Sequence, residues 1–247
     1  MIRRVLPLLM GSLLLVLGCG SPTGLQPSES CSDQPANAVV MFEDAGLEHA
    51  VSNAVEKTRP PSGFFETRDR LDLTCGRVSG LTLVDGHGSD RIGSLLGIQN
   101  LTSLQDLSLL GNSLTDISPL SGLKSLTRLV LVSDQITDIS PLSGLTRLTD
   151  LHLNENSITD ISALSELTSL TVLNLDNNSI TDISALSGLT SLESIDLANN
   201  SITDIQPLLD NTGLGAGDGV SLWGTGVSCT DVAALKAKGV DVGSDCP

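Results

Sequence analysis

The sequence predicts an α/β repeat solenoid with one short parallel strand in each turn, and three observations predict it. Five segments align without a gap at a period of 22: Leu101–Gly122, Leu123–Gly144, Leu145–Glu166, Leu167–Gly188 and Leu189–Asp210. Hydrophobic residues make up 40% of the 247, but aromatic residues only 2%, with three Phe, one Trp and no Tyr. The core must therefore be built from Leu, Ile and Val, which identical stacked layers achieve by packing each side chain on its own copy. Finally, each segment carries an apolar–polar alternation of the kind that puts one face of a strand inward.

Residues 1–18 are not expected to belong to the fold. Arg3 and Arg4 precede an apolar run from Val5 to Gly18, the pattern of a secretory signal. As a helix that run spans roughly 21 Å, short of the roughly 30 Å hydrocarbon core that a permanent span must cross. Val16-Leu17-Gly18-Cys19 resembles a bacterial lipobox, which implies cleavage before Cys19 and lipid on its thiol. The absence of Asp after Cys19 favours the outer membrane, by resemblance to lipoprotein sorting in some Gram-negative bacteria. Residues 19–38, rich in Gly, Ser and Pro, read as a flexible tether.

Four more cysteines remain: Cys31, Cys75, Cys229 and Cys246. An even number in an exported chain favours disulfides, with three possible pairings. The repeats between Cys75 and Cys229 contain no cysteine, so a staple at each end is favoured, Cys31–Cys75 and Cys229–Cys246.

A cap is expected over residues 39–80, since a terminal repeat would expose its core. Phe42, Leu47, Ala50, Val51, Ala54 and Val55 fall on one helical face, with Asp44 as its cap and Pro60-Pro61 as its end. A shorter helical piece is expected around Thr67–Leu73. The array then runs over residues 81–210. Leu81 and Leu83 read as an irregular strand, and an insertion around Gly86–Asp90, which contains His87, leads to Ile92.

Within the regular repeats each column has a predicted task. Leu107/Leu109, Leu129/Leu131, Leu151/Leu153, Leu173/Leu175 and Ile195/Leu197 should be the inward strand residues. The Asn column (Asn112, Asn156, Asn178, Asn200) should bond the backbone where the chain turns. Asp134 interrupts it; it accepts but does not donate, so a local weakness is expected there. The Asp column (Asp116, Asp138, Asp160, Asp182, Asp204) should cap short 3₁₀ or helical turns. A cation-binding edge is the alternative role, given a spacing of roughly 5 Å between turns.

This pattern, LxxLxxLxLxxNxITDIxxLxx, closely resembles the internalin-type leucine-rich repeats of bacterial surface proteins, over roughly Ile92 to Cys246. The resemblance implies a curved leucine-rich-repeat horseshoe, with strands on the concave side, short 3₁₀ turns on the convex side, and protein recognition on the concave face. Residues 211–247 read as a C-terminal cap. In it Val220 and Leu222 imitate a last strand, Asp231–Lys238 forms a helix, and a disulfide closes the end.

Function is expected on the outward strand positions: Asp106/Ser108/Leu110, Arg128/Val130/Val132, Asp150/His152/Asn154, Val172/Asn174/Asp176 and Ser194/Asp196/Ala198. Leu110, Val130 and Val132 should form a small apolar patch, and no aromatic residue is expected on this face. His152 beside Asp150, Asn174 and Asp196 is a nominal metal or acid–base group, but one His among acids reads as a solvated residue. No phosphate loop, zinc-ligand spacing or Ser-His-Asp ordering occurs, so neither enzyme activity nor a cofactor is expected. The net charge of −16 disfavours nucleic acid, whose phosphates demand clustered Lys and Arg. The reading is thus a lipid-anchored envelope protein, monomeric, that recognises an unidentified protein, and without aromatic anchors on the face that binding is expected to be weak or multivalent. Two alternatives are a structural envelope component and a cation-stabilised solenoid without a dedicated ligand.

Overall fold

Every regular repeat delivers its strand to the same place, so the strands pair in chain order. The computed structural model describes residue 31 and residues 40–57, 78, 80–87 and 91–247. Among the described residues eight strands form one parallel sheet: β1 Leu83–His87, β2 Asp106–Leu110, β3 Arg128–Val130, β4 Asp150–His152, β5 Val172–Asn174, β6 Ser194–Asp196, β7 Gly219–Ser221 and β8 Asp241–Gly243. In the repeats the register advances one period per strand, so Asp106, Arg128, Asp150, Val172 and Ser194 are neighbours in one row.

The inward residues stack as aliphatic columns. Leu107, Leu129, Leu151, Leu173 and Ile195 form one, and Leu109, Leu131, Leu153, Leu175 and Leu197 the next; all are buried. Leu114, Ile136, Ile158, Ile180 and Ile202 continue the core beyond the turn. Burial of each contributes roughly 1.5–3 kcal/mol relative to exposure.

Opposite the strands lie single 3₁₀ turns, Ser118–Gly122, Ser140–Leu142, Ser162–Leu164 and Ser184–Leu186, preceded by Ile98–Asn100. In the fifth repeat this turn becomes a short α-helix, α2, Gln206–Asp210. Pro119, Pro141 and Pro207 sit at the start of their turns, where the missing N–H would be unpaired anyway.

At the front, α1 (Ala45–Lys57) covers the open end of the stack, burying Leu47, Ala50, Val51, Ala54 and Val55. Asp44 does two jobs. Its Oδ1 accepts from Gly46 N–H at 2.8 Å and Leu47 N–H at 3.1 Å, and its Oδ2 accepts from Gly93 N–H at 2.7 Å. The cap is thereby tied to the array. Gly97 has φ +108°, and a Cβ there would meet Phe42 Cδ1 at 2.6 Å, so only glycine fits beneath the cap.

β1 differs from the expectation. The strand runs through Gly86 to His87, residues expected in the insertion, and Leu83 points outward at 47% exposure. Val84 and Gly86 are the inward pair. A Cβ on Gly86 would lie 3.0 Å from both Ile92 and Leu109 and 3.2 Å from Ala50. Side chains from α1 and the next turns thus occupy the space that a leucine fills in later repeats.

At the back, α3 spans Cys229–Ala237 with Ser228 as its cap, starting ahead of the expected Asp231. The Cys229–Cys246 disulfide closes this end with a Cα–Cα distance of 5.4 Å. β8 was not anticipated; Val240 and Val242 bury its inward side. Cys31 is disulfide-bonded. Its expected partner Cys75 lies outside the described residues, as do the signal segment, Cys19, most of the tether, Pro60-Pro61 and the piece around Thr67–Leu73. Among the described residues no helix is long and apolar enough to cross a membrane.

Candidate functional site

The open face of the sheet is built by the residues that alternate with the leucine columns. Asp106, Arg128 and Asp150 share a row on β2, β3 and β4, which forces the cation between two carboxylates. Arg128 Nη1 lies 3.2 Å from Asp106 Oδ1, and its Nε 3.3 Å from Asp150 Oδ2. His152 Nε2 approaches Asp150 Oδ1 to 2.7 Å. That oxygen nevertheless has no hydrogen-bond donor, so the ring N–H is not aimed at it. The four side chains are partly exposed, and such a network fixes geometry more than it adds stability.

The other half of the face has the opposite character. Strand positions from β5 to β8 carry no Lys or Arg. Asp176 accepts from Asn177 Nδ2 at 2.7 Å and Asn199 Nδ2 at 2.8 Å, and Asp196 from Ala198 N–H at 3.1 Å. Asn174 holds the Asp176 N–H at 3.0 Å. The N-terminal half thus carries one cation among its carboxylates, and the C-terminal half has none.

Several expected face residues take other positions. Val130 is only 5% exposed and Ala198 6%. The apolar patch therefore contracts to Leu110, exposed, and Val132, partly so. Ser108, Asn154, Val172 and Ser194 remain on the open face with partial or full exposure. The face also holds an aromatic residue, contrary to expectation. Ser221 pairs with Asp196, so Trp223, two residues on, continues the row of Leu110, Val132, Asn154, Asp176 and Ala198. It is 52% exposed. A Cβ on Gly243 would lie 2.6 Å from Trp223 Nε1, so the indole rests over β8. The Val220/Leu222 alternation contained this signal, because it directs residue 223 outward.

Little here resembles an acid–base centre. Ser108 pairs with Val130, and Val130 with His152, so the hydroxyl and the imidazole are two strands apart, about 10 Å. Among the described residues no group of three His, Cys, Asp or Glu is placed to hold a metal ion.

The two ladders lie to the side of the face. Asn112 Oδ1 accepts from Ile92 N–H at 2.9 Å, and Asn156, Asn178 and Asn200 accept from Ile136, Ile158 and Ile180 at 2.9–3.0 Å. The Asp column binds Ser118, Ser140, Ser162, Ser184 and Gln206 N–H groups, each at 2.8 Å. The helix-capping position itself is the following Ile, from Ile117 to Ile205. Each Asp therefore stands one residue outside the cap and holds the first N–H of the turn. For Asp138 and Asp160 that backbone bond, helped by the serine hydroxyl, holds the carboxyl below its ordinary pKa. A half-open hollow of about 320 Å³ lies among these caps, between Asp160 and Asp182, not on the strands.

Fold and repeats together define a leucine-rich-repeat solenoid, an architecture that typically serves protein interaction. Residues 102–144, 124–166, 146–188 and 168–210 each match the family described as Leucine Rich repeats (2 copies). The fold is similar to that of an internalin from Listeria monocytogenes, with 29% identity over 83% of this chain and 64% of that one, TM-score 0.60. It is equally similar to internalin C2 of the same organism, at 29% identity over 82% of this chain and 94% of that one, TM-score 0.60. The chain thus spans less than two thirds of the first of these and nearly all of the second. The ectodomain of a plant receptor kinase from Arabidopsis thaliana, solved in complex with Casparian strip integrity factor 2, shares the fold at 23% identity, over 63% of this chain and 20% of that one, TM-score 0.53. No curated protein matches the sequence. Leucine-rich-repeat proteins are generally interaction scaffolds rather than enzymes.

Proposed function

We propose that this chain is a lipid-anchored recognition module of a bacterial cell envelope that binds a protein with a basic surface along the concave strand face. The carrying observation is the charge asymmetry of that face. Arg128 bridges Asp106 and Asp150 and offsets part of their charge at one end, while Asp176 and Asp196 have no basic strand neighbour at the other, where Trp223 is exposed. Trp is well suited to anchor an interface, because it buries a large rigid surface and keeps a polar handle. Unbalanced carboxylates speed the approach of a basic partner and fix its orientation more than they add affinity. Support for the anchor comes from Val16-Leu17-Gly18-Cys19 after an apolar run, with the outer membrane favoured.

Two measurements test this. Intact mass and detergent partitioning of native protein should show a lipid-sized increment and membrane association, both lost in Cys19→Ala. A freely soluble, unmodified native protein would sink the anchor. In situ crosslinking should yield a basic neighbour whose capture falls in Asp176→Asn/Asp196→Asn and in Arg128→Ala/Asp150→Ala, but not in Glu166→Gln, away from the strands. Capture that is indifferent to the face variants would leave the chain a structural envelope component.

A further inference from the structure

Asp134 stands in the column otherwise filled by Asn112, Asn156, Asn178 and Asn200, and the comparison isolates one missing proton. Asn156 Nδ2 donates to Leu131 O at 2.8 Å, Leu153 O at 3.1 Å and Asn154 O at 3.3 Å. Asn178 and Asn200 repeat this pattern at the same spacings. Asp134 keeps only the accepting half, with Oδ1 taking the Leu114 N–H at 2.9 Å. Its Oδ2 occupies the donor's place, sealed from solvent and without a hydrogen-bond partner. By the repeat spacing, the carbonyls of Leu109, Leu131 and Val132 are the groups that an amide there would serve. An ionised carboxylate sets negative charge against those oxygens in a dry environment, an arrangement that costs free energy. A protonated one carries an O–H where the sister residues carry an N–H.

We propose that Asp134 is a proton-operated fastener between the first two regular repeats, closed when Oδ2 carries a proton and loosened when it does not. In the closed form the hydroxyl donates to the carbonyl cluster and the ladder is continuous from Asn112 to Asn200. In the open form the rung keeps only the contacts its carboxylate accepts from the Leu114 and Asn112 N–H groups. A proton suits the site better than a metal ion, because the matching rungs are one hydrogen bond wide. Calcium instead needs six or more oxygens at about 2.3–2.6 Å.

The surroundings place the transition in a useful range. Burial pushes the carboxyl up to about 6, against the pull of the Leu114 and Asn112 N–H groups. The preceding turn, 111–115, contains no ionisable residue. The following turn contributes Glu155, whose carboxylate accepts from Ser133 Oγ at 2.6 Å. Along its own turn the first ionisable group is Asp138, bound to Ser140 N–H, and on β3 it is Arg128, held by Asp106 and Asp150. Since the folded value lies above the ordinary 3.8, the stabilisation is complete below 3.8 and lost as pH rises through about 6. Across that window the folding equilibrium changes roughly a hundredfold.

The test is urea unfolding of the full mature chain, disulfides intact, for wild type and Asp134→Asn from pH 4 to 8. The variant should fold more favourably at pH 7.5, by roughly a hundredfold, and this advantage should shrink steadily as pH falls from 7 to 4. Carboxyl carbon NMR of the folded wild type should show Asp134 titrating near 6. A variant advantage that is constant with pH, no advantage at all, or titration in the ordinary carboxylate range would each overturn the proposal.

Discussion

Ser133 Oγ donates to Glu155 Oε2 at 2.6 Å, and both residues hold a positive φ, 59° and 58°. They belong to a column whose other members are Gly111, Asn177, Asn199 and Gly224, all with φ between 51° and 67°. The chain leaves each strand through this left-handed residue, so the column favours Gly or Asn, and Ser133 and Glu155 are its strained occupants.

Glu155→Gly is accordingly expected to stabilise the protein by about 1 kcal/mol, and Gly111→Ala to destabilise it by about 1–2 kcal/mol. Urea midpoints of the two variants against wild type check both signs.

The amide of Asn178 bonds Ile158 N–H and the carbonyls of Leu153, Leu175 and Asp176. Asn178→Ala leaves these groups unpaired at the side of the core. The expected cost is about 3 kcal/mol, read as a fall in the urea midpoint and as faster exchange of the Ile158 amide.

Asp160 holds its carboxyl below the ordinary 3.8 by accepting the Ser162 N–H. A lowered folded value means that the stabilisation is present above 3.8 and lost as pH falls further. Asp160→Ala should therefore be less stable than wild type at pH 7, with the difference closing as pH falls below 3.8. Denaturant titrations at several acidic pH values would show it; a difference that does not narrow as pH falls below 3.8 would mean the carboxylate bond is not the cause.

The Cys229–Cys246 bridge closes a loop with a sequence separation of 17. Replacing both cysteines by alanine should cost about 3 kcal/mol. The loss should appear first as hydrogen exchange in β8 and α3, with the amides of β2 to β5 protected, because each repeat touches only its neighbours.

The regular repeats were legible because one rule repeats five times. Leu107 and Ile195 carry the same message about burial, and any single ambiguous position is outvoted by its copies. The ends were harder. Gly86 is inward although it has no side chain to announce it, since Ala50 and Leu109 fill its place. Trp223 was hidden because the step from Ser194 to Gly219 exceeds the period by three residues. β8 rests on Val240 and Val242, too brief a pattern to stand out. On the face, Val130 is flanked in register by Ser108 and His152, and period alone could not tell that it would be covered. The Asn and Asp columns announced residues seeking backbone partners, but only coordinates separate a capping position from the one before it.

The pairing of Asn178 with Ile158, and of Thr171 Oγ1 with the Thr149 carbonyl at 3.0 Å, has a genetic corollary. All such links reach one turn and no further, and each turn offers the next an identical socket. Excising residues 145–166 would bring Asn178 onto Ile136 and Thr171 onto Thr127, which present the same groups. Unequal crossing-over between copies could therefore lengthen or shorten the array in whole units without disturbing either end. The length of the strand face, and with it the distance from the Arg128 cluster to Trp223, is a quantity that lineages can change by single recombination events rather than by accumulated point substitutions.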